Sequence, residues 1–452
     1  MQPQAGNASI YKLGGLYVGV FCLAWSCTAT AQGLSDNVSR LSGSGSVFTG
    51  VSHTRTDRGT TTSTNTEPLA GVSGQVGGNL ESGANAVTLR YGGTLQTNQD
   101  AIDGGDTGNT SFTGASRYTY FDPGSRVDFN LGHTINSVRD NSGFEVNSSS
   151  YDTRNTLSAG AGLRFYPGKL TTLRFSGQAG RSFGNNDLND EESLTASSEL
   201  SRRLSDRSTG SLNVSRSWSE ERGTDVTIDS AQLVYSQQLE SGYFSIGAGG
   251  SRAESEYTNG TTSENEAVTG FLERTWVTTN WRTSVKFDRS MSDSATDLSM
   301  NITPDFSFLP ETVRLRDLVV KDSLSVTHNN QRLCDVCDLG LYASGAILES
   351  QNSGATRHEY NAGVNLGFQI TSLQRLTFGY TWEGDAGEDA DIIVDQIHRF
   401  NTGWTRQIAK HTSFGVELNQ AYLRSKLAKN DQEQFQVRLV FSHGFSLVGA
   451  RQ

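Results

Sequence analysis

Long apolar stretches are scarce in this chain of 452 residues. Only 35% of the residues are hydrophobic, and the mean hydropathy is −0.46. A soluble protein of this length would usually form about two or three domains, each with a core richer in apolar side chains. The 49 glycines and 6 prolines give a composition that at first sight resembles a disordered chain. Composition alone therefore disfavours a conventional soluble core.

The chain also lacks an excess of positive charge. It has 37 Lys and Arg against 48 Asp and Glu, which gives a formal net charge of −11. Nucleic-acid-binding proteins usually carry a basic patch or stripe as their electrostatic footprint. We therefore expect no nucleic-acid partner, and no motif in the chain indicates a cofactor.

Cysteine is rare, and the first two of the four cysteines fall before residue 31. The remaining pair forms the run Cys334-Asp335-Val336-Cys337, without the βαβ context of a thioredoxin-like redox motif. Zinc needs about four ligands, and one pair of cysteines supplies only half of them. A short-loop disulfide is the favoured interpretation, with two unpaired thiols as the alternative. A disulfide requires a turn here, because the two side chains would face opposite sides of a regular strand.

The start of the chain has the pattern of a secretory signal peptide. Lys12 precedes the apolar run Leu13–Trp25, and Ala29-Thr30-Ala31 forms a small-x-small cleavage site. The run is shorter than the ~20 residues that a membrane-spanning helix needs. We therefore predict that residues 1–31 are removed and that the mature chain starts near Gln32.

What the chain does contain is alternation, clearest in its last strand, Gln434–Phe445. Phe435, Val437 and Leu439 point to one side, while Gln436 and Arg438 point to the other, because successive strand residues face opposite sides. The same pattern recurs down the mature chain, with little between the ribbons that could form a core. A barrel with lipid outside and water inside accounts for this pattern. We predict an all-β, antiparallel, up-and-down transmembrane β-barrel.

Short and long connections alternate between the predicted ribbons. In outer-membrane barrels, short turns face the periplasm and longer loops face outside. Pairing the connections predicts about 20 strands, with 18 to 22 as the range, and both termini in the periplasm. The predicted parts are a periplasmic lead at 32–43, a barrel at 44–447 and a tail at 448–452. The longer loops are predicted at Arg55–Thr66, Asn98–Asn109, Arg139–Ser149, Gly184–Asp190, Tyr257–Ser263, Asp293–Thr312, Asp385–Asp391 and Lys426–Gln432.

The loop Asp293–Thr312 differs from the others because it is apolar. One hypothesis is that it folds into the lumen as a constriction or covers the mouth as a lid. Two alternatives remain open: its phenylalanines belong to a strand in a shifted register, or they contact a partner. The candidate residues are Pro304, Phe306, Phe308, Leu309 and Pro310.

The polar faces of the ribbons carry charge, which a water-filled lumen allows and lipid disfavours. The predicted lumen-facing charges are Arg90, Arg174, Lys286, Arg375, Glu417 and Arg438. The seven histidines are scattered, and no motif joins one of them to a serine and an orienting partner, as a serine hydrolase requires. We therefore predict no catalytic residues, and an outer-membrane hydrolase is the least favoured function.

Two stretches carry a resemblance to a known family. They are LSDNVSRL, from Leu34 to Leu41, and VVKDSLSVTHNNQRLCDVCDLGLYASG, from Val319 to Gly345. With the signal peptide and the ribbons, they resemble the outer-membrane β-barrel proteins associated with exopolysaccharide and PEP-CTERM loci. The resemblance implies a location in the outer membrane of a Gram-negative bacterium and a role in helping polysaccharide leave the cell. It supplies no catalytic residues.

These observations lead to two functional hypotheses. The first is a porin-like channel for the export or passage of polysaccharide or other hydrophilic solutes, since barrels of this strand number enclose a lumen. The second is a non-conducting structural or docking barrel of an exopolysaccharide or surface-protein system. The expected partners are outer-membrane lipid and the barrel assembly machinery, together with polysaccharide and periplasmic export components.

Overall fold

The computed structural model describes residues 40–59, 61–97, 110–122, 124–141, 146–184, 191–221, 224–256, 262–292, 318–351, 353–387, 393–426 and 430–448. These residues form 20 strands. Their bounds are β1 Arg40–Arg58, β2 Thr61–Ser82, β3 Asn85–Gln96, β4 Thr110–Phe121, β5 Val127–Asn141, β6 Val146–Gly168, β7 Thr171–Gly184, β8 Glu191–Ser205, β9 Ser208–Glu221, β10 Thr224–Leu239, β11 Gly242–Glu256, β12 Thr262–Val277, β13 Trp281–Ser292, β14 Val319–Cys334, β15 Cys337–Ser350, β16 Thr356–Thr371, β17 Gln374–Ala386, β18 Ile393–Ala409, β19 Thr412–Ser425 and β20 Asn430–Val448.

Every strand pairs antiparallel with the next one, and β20 pairs with β1, so the sheet closes. The prediction of an antiparallel up-and-down barrel of about 20 strands is confirmed. Within the described ranges, no helix is long and apolar enough to cross a membrane. The sheet extends slightly beyond the predicted barrel: β1 begins at Arg40 rather than residue 44, and β20 ends at Val448. The predicted signal peptide, at 1–31, lies outside the described residues.

The connections differ between the two ends of the barrel. At one end, here called the turn end, tight hairpins such as Ser82-Gly83-Ala84-Asn85 join the strands, and Gly83 adopts a φ of +56° that favours glycine. The opposite end, here called the loop end, carries the longer connections. The predicted loop Arg55–Thr66 is wrong, because β1 and β2 stay paired up to Arg58 and Thr61. The Ser- and Thr-rich sequence is typical of a loop, but here its backbone N–H and C=O groups form hydrogen bonds in the antiparallel ladder, so the segment is a strand.

The barrel wall has an apolar outer face and a polar inner face. On β10, for example, Leu233 points outward with 65% of its surface exposed, whereas its neighbours Gln232 and Val234 point inward. Outward apolar side chains recur at matching heights around the wall, because residues paired across antiparallel strands share a face. Examples are Val51, Leu95, Leu212, Ile246, Leu272, Phe287, Leu324, Leu341, Phe378, Leu418 and Leu439.

One part of the wall overlaps another at the loop end. The ladder between β12 and β13 stops at Gly270 and Arg289, although β12 continues towards the loop end as far as Thr262. Arg289 Nε donates a hydrogen bond to the carbonyl oxygen of Val268 (3.1 Å), just beyond the last ladder pair. Past this point the ends of β13 and β14 separate from the edge of β12.

The separated ends of β13 and β14 lie on the lumen side of their neighbours. Met291, Leu318 and Val320 continue the outward series of Phe287 and Leu324, yet they pack in one buried cluster with the inward-facing side chains of β10 and β11. Those side chains are Val226, Ile228 and Ala253. The tips of β13 and β14 therefore cover the inner wall of β10–β12 and narrow the barrel near its loop end.

Candidate functional site

The inner wall of the barrel holds the charged residues that the sequence suggested. Register and burial alternation put all six at inward positions on β3, β7, β13, β17, β19 and β20. Three of these side chains have ionic partners: Arg174 with Asp128, Lys286 with Asp288 at 3.2 Å, and Arg375 with Asp338. The six residues are Arg90, Arg174, Lys286, Arg375, Glu417 and Arg438.

Five inward arginines are concentrated on one side of the barrel. We call this set the arginine arc; it consists of Arg438 on β20, Arg90 on β3, Arg117 on β4, Arg164 on β6 and Arg174 on β7. Arg90 and Arg117 are exposed to the lumen, and neither forms an ion pair with another described residue. Because Thr88 pairs with Arg117 in the ladder, Arg90 is the diagonal neighbour of Arg117 on the same face.

The other members of the arginine arc are held by local contacts. Asp128 accepts hydrogen bonds from Arg164 (2.7 Å) and Arg174 (2.6 Å), and the Arg164 guanidinium stacks 4.4 Å from the centroid of the Phe121 ring. These contacts fix two guanidinium groups near the turn end with a single carboxylate between them.

Arg438 crosses the inner wall towards β3. Its guanidinium lies 5.0 Å from the centroid of the Phe48 ring and donates a hydrogen bond to Gln96 Oε1 at 3.5 Å. Phe48 and Leu69 are buried inward-facing side chains, so this guanidinium extends over an apolar support rather than into the middle of the lumen. The contact joins β20 to β3 across two intervening strands.

Among the side chains that the structure describes, the inner wall of β9–β11 is neutral and rich in serine. Cross-strand hydroxyl pairs link Ser215 to Ser230 (2.7 Å) and Ser236 to Ser245 (2.8 Å). Ser217 donates to the carbonyl oxygen of Ile228 at 3.5 Å. We call this surface the serine arc; its members are Ser211, Ser215, Ser217, Ser219, Ser230, Ser236, Ser245 and Ser251.

Buried ion pairs form a third feature of the inner wall, at the loop end. The Arg154 guanidinium pairs with Glu191 and donates a hydrogen bond to Ser182 (2.7 Å), and all three side chains are buried. Arg357 pairs with Asp385 at 2.7 Å. The Arg399 guanidinium pairs with Glu383.

The sequence prediction missed these buried pairs. Their inward position could have been read from strand alternation, but Arg154 and Glu191 are on strands separated by β7. Their partnership depends on the curvature of the closed wall. Among the described residues, no group of three or more His, Cys, Asp or Glu side chains could hold a metal ion.

Cys334 and Cys337 form a disulfide with an S–S distance of 2.10 Å. They are ladder partners on β14 and β15, and the turn between them lies at the turn end. The apolar loop candidates Pro304, Phe306, Phe308, Leu309 and Pro310 lie outside the described residues. The constriction, strand and partner hypotheses for that loop therefore stay predictions.

Five histidines in the described wall contact a Tyr or Thr hydroxyl, and His133 has Asn155 as a further partner. The ring nitrogens contact Thr66, Tyr91, Thr283, Tyr380 and Thr412, at 2.7 to 3.0 Å. None of these contacts has the serine–histidine geometry of an acyl-transfer site.

Comparison with known proteins gives structural likeness only. No protein-family model and no curated protein matches this chain. A BenF-like porin from Pseudomonas fluorescens Pf-5 is 10% identical with a TM-score of 0.40, and the match covers 90% of this chain and 99% of the porin. OccK10 of Pseudomonas aeruginosa is 13% identical, with a TM-score of 0.36 and coverage of 91% and 100%.

The FrpB iron transporter of Neisseria meningitidis is 9% identical with a TM-score of 0.44, and the match covers 88% of this chain and 81% of the transporter. None of these likenesses says which solute this chain handles. The resemblance to exopolysaccharide-associated barrels likewise stays a prediction.

Proposed function

We propose that this chain is an outer-membrane channel for hydrophilic solutes, with polysaccharide as the expected cargo. The observation that carries the proposal is a closed barrel whose outer face is apolar all round while its inner face is polar. Of the known membrane-spanning architectures, only a closed barrel satisfies every backbone hydrogen bond with strands.

The exposed apolar surface is too extensive for a soluble monomer. Such proteins rarely expose a contiguous apolar patch larger than a few hundred Å². Here every part of the circumference presents outward Leu, Val, Ile or Phe side chains, with Leu233 and Val268 exposed by 65% and 73%. Lipid tails are the partner that fits a continuous apolar belt, and barrels of this kind are typical of the bacterial outer membrane.

Outward aromatic side chains support the same location. Tyr118, Trp276 and Trp281 point outward near the turn end, and a group on β16–β19 points outward nearer the loop end. Tyr360 and Trp382 in that group stack with ring centroids 6.4 Å apart. Amphipathic aromatic rings favour the two interfaces of a bilayer.

A water-accessible surface lines the lumen along the arginine arc. Gln75, Thr88, Arg90, Thr113 and Arg117 face inward on β2–β4, and all five are exposed. Hydroxyl, amide and guanidinium groups of this kind can bind sugar hydroxyls in place of water, which supports polysaccharide as cargo.

A second candidate function is a non-conducting barrel that docks a periplasmic or surface partner. The overlap of β13 and β14 with the inner wall of β10–β12 favours it, because a buried apolar cluster then fills part of the loop end. The two functions differ in whether a continuous water-filled path runs through the lumen from one end of the barrel to the other.

Single-channel recording of the refolded chain in planar bilayers tests the proposal. We expect discrete conductance steps, and uptake of neutral oligosaccharides by liposomes with a size cut-off. Far-UV circular dichroism of the same sample establishes that the barrel is folded. A folded barrel that gives neither steps nor uptake would overturn the channel and leave the docking function.

A further inference from the structure

We propose that the arginine arc is a binding surface for multivalent organic anions, so that the channel prefers solutes carrying several carboxylates. This inference rests on the proposed channel function and adds a substrate class to it.

The charge of this wall is the first argument. The five arginines of the arc share one ion-pair partner, Asp128. Across β20 and β1–β7, the described inward side chains comprise seven arginines and three carboxylates, a formal charge of +4; besides the arc and Asp128 they are Arg40, Arg154, Glu67 and Glu81. The flanking strands add Glu191, Glu199 and Arg203 on β8 and Glu417 on β19, which leaves +2. A local positive wall inside a chain of net charge −11 is a strong departure from its average.

The geometry of Arg90 and Arg117 is the second argument. Diagonal neighbours on an antiparallel pair lie about 7–8 Å apart, which long side chains can bridge. Guanidinium groups bind carboxylates through two parallel hydrogen bonds, so this pair can hold one carboxylate jointly or two side by side. Neither side chain has an ionic partner in the described ranges, so an anion need not displace one.

The length of the arc is the third argument, and it points to a multivalent ligand. The arc runs from β20 through β1 to β7, and neighbouring strands are about 4.8 Å apart, so it extends about 30 Å along the wall. A single small anion contacts one or two of these arginines. A chain of acidic sugars, with one carboxylate on each residue, can contact several at once and gains affinity from multivalency.

Accessibility is the fourth argument. The tips of β13 and β14 cover part of the inner wall on the serine side, whereas Arg90 and Arg117 remain exposed. As far as the described residues define it, the open part of the lumen therefore lies against the arginine arc, and a solute that passes through is brought close to these arginines.

The test is ion selectivity in a potassium chloride gradient across a planar bilayer. We expect a chloride-to-potassium permeability ratio above unity for the native chain. Removing both free charges with Arg90→Gln and Arg117→Gln should lower that ratio about sevenfold for each kT of lost potential, because chloride partitioning falls and potassium partitioning rises about threefold each. The matched control is Arg216→Gln with Arg252→Gln, which removes the same charge from the outer face, where both side chains are more than half exposed.

Blocking by an oligomer identifies the ligand class. Trigalacturonate should block the native channel and bind at least about tenfold more weakly to the double variant, whereas a neutral trisaccharide should block neither. A native channel that prefers cations, or equal blocking by the acidic and neutral oligomers, would overturn the inference while leaving the channel intact.

If the folded barrel gives no conductance steps, that result counts against the proposed function. Calorimetric titration of the refolded barrel with trigalacturonate then tests anion binding at the arginine arc by itself. Binding that is lost in the double variant and kept in the outer-face control supports the anion site. No binding, or binding that the double variant retains, refutes it.

Discussion

The arginine arc and the serine arc both lie on antiparallel hairpins of the barrel wall, yet their side chains differ in how far they are exposed to the lumen. Along the arginine arc, long cationic side chains are exposed to the lumen and share one carboxylate. Along the serine arc, short hydroxyls bond to one another or to carbonyl oxygens, and several are buried. The backbone ladder is continuous through both arcs.

This difference shows that the backbone architecture of a barrel wall does not determine the chemistry of the side chains that line its lumen. The ladder fixes where each side chain points but not which polar group stands there, because any polar residue is compatible with an inward position. The lining can therefore vary between arcs without changing the architecture, and a solute preference can reside in one arc alone.

The largest expected effect comes from a buried ion pair beside the arginine arc. Glu191→Ala removes the buried carboxylate that pairs with the Arg154 guanidinium, which should destabilise the barrel by about 3–5 kcal/mol. Urea unfolding of the refolded protein in lipid vesicles, followed by tryptophan fluorescence, measures it.

The adjacent residue provides the matched control. Glu192 points outward and pairs with Arg181, and both side chains are more than 60% exposed. Glu192→Ala should cost less than about 1 kcal/mol. Equal losses from the two variants would contradict the assignment of inner and outer faces on β8.

The next effect compares the two faces of the wall behind the serine arc. Leu233→Arg puts a charge on the outer apolar belt and should cost about 2–4 kcal/mol if that position lies near the middle of the bilayer. Gln232→Arg changes the adjacent inward residue and should be far better tolerated, while raising the anion preference of the channel. Equal tolerance of both variants in the same unfolding assay would contradict a lipid-facing β10.

The smallest expected effect comes from the hydroxyl pairs of the serine arc. Replacing the pair with Ser215→Ala and Ser230→Ala removes both partners of one hydrogen bond, so the change in unfolding free energy should stay below about 1 kcal/mol. Ion selectivity should remain at the native value, in contrast to the Arg90 and Arg117 double variant. A selectivity shift as large as that of the arginine variant would remove the distinction between the arcs.

Much of the fold can be predicted from strand alternation and turn composition. The strand number and the antiparallel order follow from them, as do the inward positions of Arg90, Arg174 and Arg438. Strand alternation and turn composition predict the wrong structure for Arg55–Thr66, because its polar residues are equally typical of a loop and of a strand that extends beyond an apolar belt.

The sequence by itself determined which side of the wall each residue occupies, because a strand has a strict period of two. Only the tertiary structure decided which inward side chains meet across the lumen surface. Arg438 reaches Gln96, 342 positions away in the chain, because β20 closes on β1 and the wall curves. The tips of β13 and β14 likewise pack inside β10–β12, because the β12–β13 ladder ends early and leaves those ends free to bury apolar side chains.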